Sequence, residues 1–267
     1  MGVTPFDDPG SSFHRLLNLE HPNLFPSRLS QPEPHRSIKD LGDLVPQGTT
    51  VLALLYRDGV VIAGDRRATE GYSISERRIK KVHKTDETSA IAIAGAAGPC
   101  LELIRLFQVE LEHYEKLEGM TLSMEGKANK LSQMVKANLP MAMQGLIVIP
   151  IFVGYDSAQK KGRIFKYDLA GGQYEEAEYY AIGSGGKDAR ATMKKIFKPD
   201  LTKQDAIRVA LEAIYDAAEA DAGTGGPDLV RNIYPNVKVI SRQGVGDVND
   251  PTVKSIYQDI IPQQGEG

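Results

Sequence analysis

The chain has 267 residues, 41% of them apolar and 25% charged, and its formal net charge at pH 7 is −3. That length is enough for one large domain or two small ones and for a sizeable core, and so small a net charge gives no global reason to bind nucleic acid or an anionic membrane. The single cysteine, Cys100, excludes an internal disulfide framework and a cysteine-rich metal site, and reads as a small apolar residue in a reducing compartment.

Residues 1–48 differ from everything that follows. They hold seven of the 15 prolines and three of the five histidines, and their apolar residues form short islands such as Leu16-Leu17 and Leu24-Phe25 without a sustained period. An extended, weakly structured leader is expected there. Pro5, Asp7, Asp8 and Pro9 stand where a signal peptide needs a basic region and an apolar core. Phe6 stands where a myristoylation motif wants Ser or Thr. No run approaches the roughly 18 apolar residues of a membrane span, so a cytoplasmic location is expected.

From Thr49 the pattern changes to strand. Thr49 to Tyr56 is β-branched and apolar, Arg57-Asp58-Gly59 is a turn signal, and Val60 to Ala63 is a second apolar run, which together predict an antiparallel hairpin. A strand at 88–94 ends in the small-residue segment Gly95 to Pro99. Leu101, Ile104, Leu106, Val109 and Leu111 then alternate with charged residues at helical spacing, up to Gly119. A second helix is predicted over 123–143, kinked or ended early by Pro140. Strands follow at 146–154, 162–168 and 173–182, with Ala170-Gly171-Gly172 as a turn. Helices resume after Gly185 and from a cap at Thr202 with Asp205 three residues on. A last strand spans 233–241, and the polar tail after Gly246 is expected to be loose. Segregated blocks of strands and helices suggest helices packed outside antiparallel sheets.

The change of composition falls at Gly48–Thr49. If the chain is cut there, Thr49 carries a hydroxyl nucleophile and a free α-amine in one residue. With a reference pKa near 8, that amine can act as the base. An amide nitrogen cannot, so an attached leader holds the chemistry off. With Arg57-Asp58 or Asp58-Gly59 at the turn, register sets Thr49 opposite Arg66 or Ala68. Asp65 then lies on the order of 10 Å or less from Thr49 across the ladder.

Thr49-Thr50, Gly64-Asp65-Arg66-Arg67, Lys80-Lys81-Val82 and Ile93-Ala94-Gly95, followed by Gly183-Ser184-Gly185 and the segment from Asp221 to Gly226, resemble the active β-subunits of proteasomes, which are N-terminal nucleophile hydrolases. The likeness runs from Thr49 to about Ser241. Gly225 to Asp228 and the stretch from Glu110 to Tyr114 are similar to the actinobacterial branch.

The resemblance implies an α+β fold, a four-layer α-β-β-α sandwich of two antiparallel sheets flanked by helices. It implies a propeptide at 1–48, autocatalytic cleavage between Gly48 and Thr49, and a catalytic domain at 49–267. Thr49 corresponds to the nucleophile, Asp65 and Lys81 to a supporting ion pair, and Gly95 to an oxyanion donor through its N–H. Ser184, Asp221 and Thr224 correspond to the group orienting the terminal amine, with Thr224 where the family often has Ser. Thr69 and Ala97 correspond to backbone positions that hold a peptide as an added strand. Ala68, Ile79 and Ile93 correspond to an apolar first specificity pocket. Implied partners are α-type subunits, further copies of this chain in seven-membered rings, an ATPase ring acting through the α-subunits, and unfolded protein substrates. No cofactor or metal is expected, since His83 and His113 are isolated, and no Walker lysine follows Gly95–Gly98.

The residues leave two alternatives open: a stand-alone amidohydrolase of the same chemical class, or an inactive ring subunit. Inactive members typically lose the threonine or the lysine, and this chain keeps both.

Overall fold

The computed structural model describes residues 48–70 and 73–261; the expected leader through Gln47 lies outside them. The first predicted hairpin is present as β1 (Thr50–Tyr56) and β2 (Gly59–Gly64), with Tyr56 opposite Gly59 and Val51 opposite Gly64. Carried two residues further, this register sets Thr49 against Arg66. A short hairpin follows, β3 (Ala68–Glu70) and β4 (Ser73–Glu76), then β5 (Val82–Asp86) and β6 (Ser89–Gly95).

Next come α1 (Ala97–Glu118), α2 (Met124–Ala137) and the short α3 (Leu139–Ala142). The predicted helix at 123–143 is therefore two: α2 starts at the Ser123 cap and ends at Asn138, and Pro140 sits in the first turn of α3, where its missing N–H costs nothing. Strands β7 (Val148–Asp156), β8 (Lys161–Tyr167), β9 (Gln173–Glu176) and β10 (Tyr179–Gly183) lead to α4 (Gly186–Ile196) and α5 (Lys203–Ala220). The chain closes with β11 (Asn236–Ser241), β12 (Gly244–Asp247) and α6 (Asp250–Ile260).

The strands form two five-stranded antiparallel sheets, ordered β10-β1-β2-β11-β12 and β5-β6-β7-β8-β9, beside the separate β3–β4 pair. Three buried clusters define four layers. Leu52, Leu54, Val61 and Ala63 meet α4, α5 and α6 on the outer face of the first sheet. The alternate residues Val51, Ala53, Val60 and Ile62 meet Ala90, Ala92, Ile151, Val153 and Ile164 between the sheets. On the far side, Ile91, Ile93, Phe152 and Phe165 meet Leu103, Phe107, Leu131 and Val135 of α1 and α2. Period-two alternation along each strand thus serves two cores at once. This is the expected four-layer α-β-β-α sandwich.

Two expectations are corrected. The run 173–182 is not one strand: β9 ends the second sheet and β10 edges the first, so the chain changes sheets at Ala177-Glu178. The segment after Gly246 is not a loose tail through Ile260. Asn249 caps α6 by accepting from Thr252 N, and Val253 and Tyr257, four residues apart, bury one face, with the Tyr257 hydroxyl donating to the Leu211 carbonyl at 3.2 Å.

Candidate active site

The first sheet presents Thr49 at the entry of β1 and Asp65 at the exit of β2, side by side because the hairpin turn is so short. The Asp65 carboxylate is fully buried and takes four donors. Oδ1 accepts from Thr50 N at 2.8 Å and from Lys81 Nζ at 2.7 Å; Oδ2 accepts from the backbone N–H groups of Arg67 and Gly225, each at 2.9 Å. A buried charge is tolerable only when paired and hydrogen-bonded in this way.

Lys81 comes from the segment just before β5, and its ammonium is also buried. Burial lowers its pKa, and the Asp65 carboxylate opposes that shift. Its second acceptor is the Gly48 carbonyl, 2.8 Å away, and the Thr49 hydroxyl donates to the same oxygen at 2.7 Å. Hydroxyl, ammonium and the carbonyl of the Gly48–Thr49 peptide bond therefore share one point. The close approach depends on glycine: a Cβ on Gly48 would lie 2.2 Å from Thr69 Oγ1.

On the other side of Thr49 stand three further residues. Ser184, just past β10, has its hydroxyl 3.4 Å from Thr49 N and donates to Asp221 Oδ2 at 2.5 Å. It does not cap α4, whose N-cap is Gly185 with no side-chain bond. Thr224 Oγ1 donates to the same Asp221 oxygen at 2.5 Å. Asp221 is the C-terminal cap of α5, and the tight turn after it also sends the Gly225 N–H to Asp65.

Thr49 opens onto a cavity of about 270 Å³. All five residues expected to contact substrate, Ala68, Thr69, Ile79, Ile93 and Ala97, line it, as do Lys81 and Gly95. Gly95 ends β6 at φ +135°, and a Cβ there would stand 2.0 Å from the Ile147 carbonyl oxygen, so only glycine fits. The floor adds residues not foreseen: Cys100, Leu101 and Ile104 from α1, and His83 from β5. Their signal was the helical period that brings 97, 100, 101 and 104 to one face. Burial pushes the Cys100 thiol up to about 12, so it is a protonated, apolar wall group. Burial likewise lowers the His83 pKa, opposed by the hydrogen bond that its Nε2 donates to the Lys80 carbonyl at 2.9 Å. Among the described residues no group of three or more His, Cys, Asp or Glu could hold a metal ion, and no helix is long and apolar enough to cross a membrane.

The family model for proteasome subunits matches residues 45–230, which span this whole constellation from Gly48 to Gly225. The chain belongs to the proteasome subunit family. Its relatives include "Proteasome subunit beta" of Acidothermus cellulolyticus, 51% identical over 262 residues, covering 96% of this chain and 89% of the relative. The protein of the same description from Acidimicrobium ferrooxidans is 51% identical, covering 96% and 91%. That of Frankia alni is 49% identical, covering 96% and 92%. Within the proteasome family, then, this chain stands with β-subunits of the proteolytic core.

Proposed function

We propose that the chain is a threonine endopeptidase of the 20S proteasome core, made as a precursor and activated by its own cleavage at Gly48–Thr49. The observation that carries this reading is the meeting of the Thr49 hydroxyl and the Lys81 ammonium on the Gly48 carbonyl oxygen, with Asp65 behind Lys81. Lys81 withdraws electron density from that carbonyl. Thr49 Oγ adds to its carbon and gives up its proton, the C–N bond breaks as the Thr49 nitrogen takes a proton up, and the leader passes from nitrogen to oxygen as an ester. Water then hydrolyses the ester, leaving a carboxylate on Gly48 and a free amine on Thr49.

In the mature enzyme the amine takes the hydroxyl proton as Oγ attacks a substrate peptide carbonyl. The Gly95 N–H stabilises the oxyanion, the departing amine of the substrate takes that proton as the C–N bond breaks, and water then hydrolyses the acyl ester on Thr49 Oγ to release a carboxylate and restore the hydroxyl. Ser184, Asp221 and Thr224 orient the terminal amine. Thr69 and Ala97 hold the substrate backbone as an added strand, and the apolar cavity between Ala68, Ile79 and Ile93 favours hydrophobic side chains before the cut bond. Residues 1–48 act as the propeptide. The working assembly is cytoplasmic, with copies of this chain in seven-membered rings capped by α-type subunits and fed unfolded chains by an ATPase ring.

The test is intact mass after co-expression with an α-type partner. The expected product is residues 49–267 in particles that hydrolyse a fluorogenic peptide, while Thr49→Ala keeps its leader and is inactive. Peptidase activity with an uncut chain, or in Thr49→Ala, overturns the reading.

A further inference from the structure

Thr50 is wholly buried beside the proposed nucleophile, and the roles assigned above leave its side chain unused. Its two polar groups face different partners. The backbone N–H donates to Asp65 Oδ1 at 2.8 Å, the same oxygen that holds Lys81 Nζ. The hydroxyl lies 2.6 Å from Thr224 Oγ1.

The direction of that second bond follows from counting protons. A threonine hydroxyl has one to give. Thr224 gives its own to Asp221 Oδ2, because an ionised carboxylate only accepts and the charge-assisted bond is the stronger one. Thr50 must therefore be the donor to Thr224. Thr50 O–H points to Thr224, Thr224 O–H to Asp221, and Ser184 O–H reaches the same Asp221 oxygen from the side of the Thr49 nitrogen. Aligned bonds of this kind polarise one another in a dry site. The backbone makes room for the pair, since a Cβ on Gly185 would stand 2.4 Å from Thr50 Oγ1 and 2.6 Å from Thr224 Oγ1.

The geometry points to Thr50 as a positioning residue whose hydroxyl and N–H join the Asp65–Lys81 pair and the Asp221–Ser184 group into one frame around Thr49. The inference rests on Thr49 being the nucleophile. In the frame, Asp65 fixes the Thr50 backbone, and with it the adjoining Thr49. The hydroxyl supplies Thr224 Oγ1 with a donor and strengthens the bond that Thr224 gives to Asp221, which with Ser184 meets the terminal amine. Losing the donor leaves Thr224 Oγ1 without it in a dry site and weakens its hold on Asp221, which lowers turnover without touching the substrate cavity.

A β-branched residue buried in a strand can also serve packing alone, and two substitutions separate the roles. Thr50→Val keeps the shape and loses the hydroxyl; Thr50→Ser keeps the hydroxyl and loses the methyl. Both are made in the full chain, co-expressed with its α-type partner, and kcat and KM are taken per reactive Thr49 site, titrated with a covalent inactivator. A parallel pair carries a removable fusion in place of residues 1–48, so that Thr49 is exposed even if self-cleavage is impaired. Expected are a kcat about tenfold lower in Thr50→Val with KM within about twofold, and Thr50→Ser within about threefold of the parent. The reverse order, with Val near the parent and Ser impaired, makes Thr50 a packing residue and overturns the proposal. So does a Val variant equal to the parent. Thr49→Ala in the same series tells the two failures apart: if it is inactive, only the role of Thr50 is lost; if it is active, the nucleophile assignment falls as well.

Discussion

Lys81 is the residue on which both proposed reactions turn. It is a buried cation with two acceptors, one a carboxylate and one the carbonyl to be cleaved. Thr50, Arg67 and Gly225 still donate to Asp65 when the ammonium is gone, so Lys81→Met should fold but process itself and hydrolyse peptide slower by roughly 10²–10⁴-fold. Near-normal processing by mass would remove Lys81 from the chemistry. Gly48 makes a second residue-scale case. A Cβ there would press on the Thr69 hydroxyl, so Gly48→Ala should displace the carbonyl from Lys81 and slow leader removal about tenfold or more, as read by intact mass over time. Leader removal at the parent rate would show that this close approach does not set the position of the carbonyl. At this scale much was legible. Thr49, Asp65, Lys81 and Gly95 lie within one unbroken stretch, and the turn at Arg57-Asp58 alone implies that Thr49 and Asp65 are neighbours. Thr50 was not, because its partner Thr224 is 174 residues away and a second threonine at a strand start looks like β-propensity.

Elements are held to one another by groups that no local pattern reveals. Arg163 of β8, nearly buried, reaches Glu175 of β9, Glu125 of α2 and Asp156 at the end of β7. Hydrogen bonds from Arg163 hold Glu175 below the usual carboxylate range. Burial would raise Asp156, but the N–H groups of Gln159 and Ala158 and the guanidinium outweigh it, so it too is lowered. The unfolded chain thus takes up protons first. The stabilisation is present above the unfolded values near 4 and drains as pH falls through the lower folded values. Glu125 and Glu175 are partly exposed and screened, so Arg163→Met should cost about 2 kcal/mol at pH 7. The gap between parent and variant melting temperatures should narrow by pH 3; a gap constant with pH would make the loss one of packing. The helix α6 teaches a different lesson. Val253, Ile256, Tyr257 and Ile260 have helical spacing behind an Asn249 cap, yet the polar composition around them hid a signal that was present. The change of sheet between β9 and β10 had no such signal, since the residues of a strand do not by themselves say which sheet it joins.

For the whole molecule the decisive fact is that two sheets share one inner core. They approach closely where Gly162 of β8 meets Gly59 of β2: a Cβ on Gly162 would lie 2.5 Å from the Gly59 carbonyl group. Gly162→Val should wedge the sheets apart and cost about 1–3 kcal/mol, lowering stability by circular dichroism and fluorescence together. Separate transitions for the two probes would mean that the layers unfold independently. The pairing order carries one more consequence. Strand β1 lies between β2, its neighbour in the chain, and β10, more than 120 residues later, while Asp221 follows later still. At about 5–20 residues per second, the ribosome delivers Asp221 roughly 10–35 s after Thr49. The earliest-made part of the site waits for the latest: on the proposed function, the amine of Thr49 has no Asp221 to orient it until translation has supplied most of the chain.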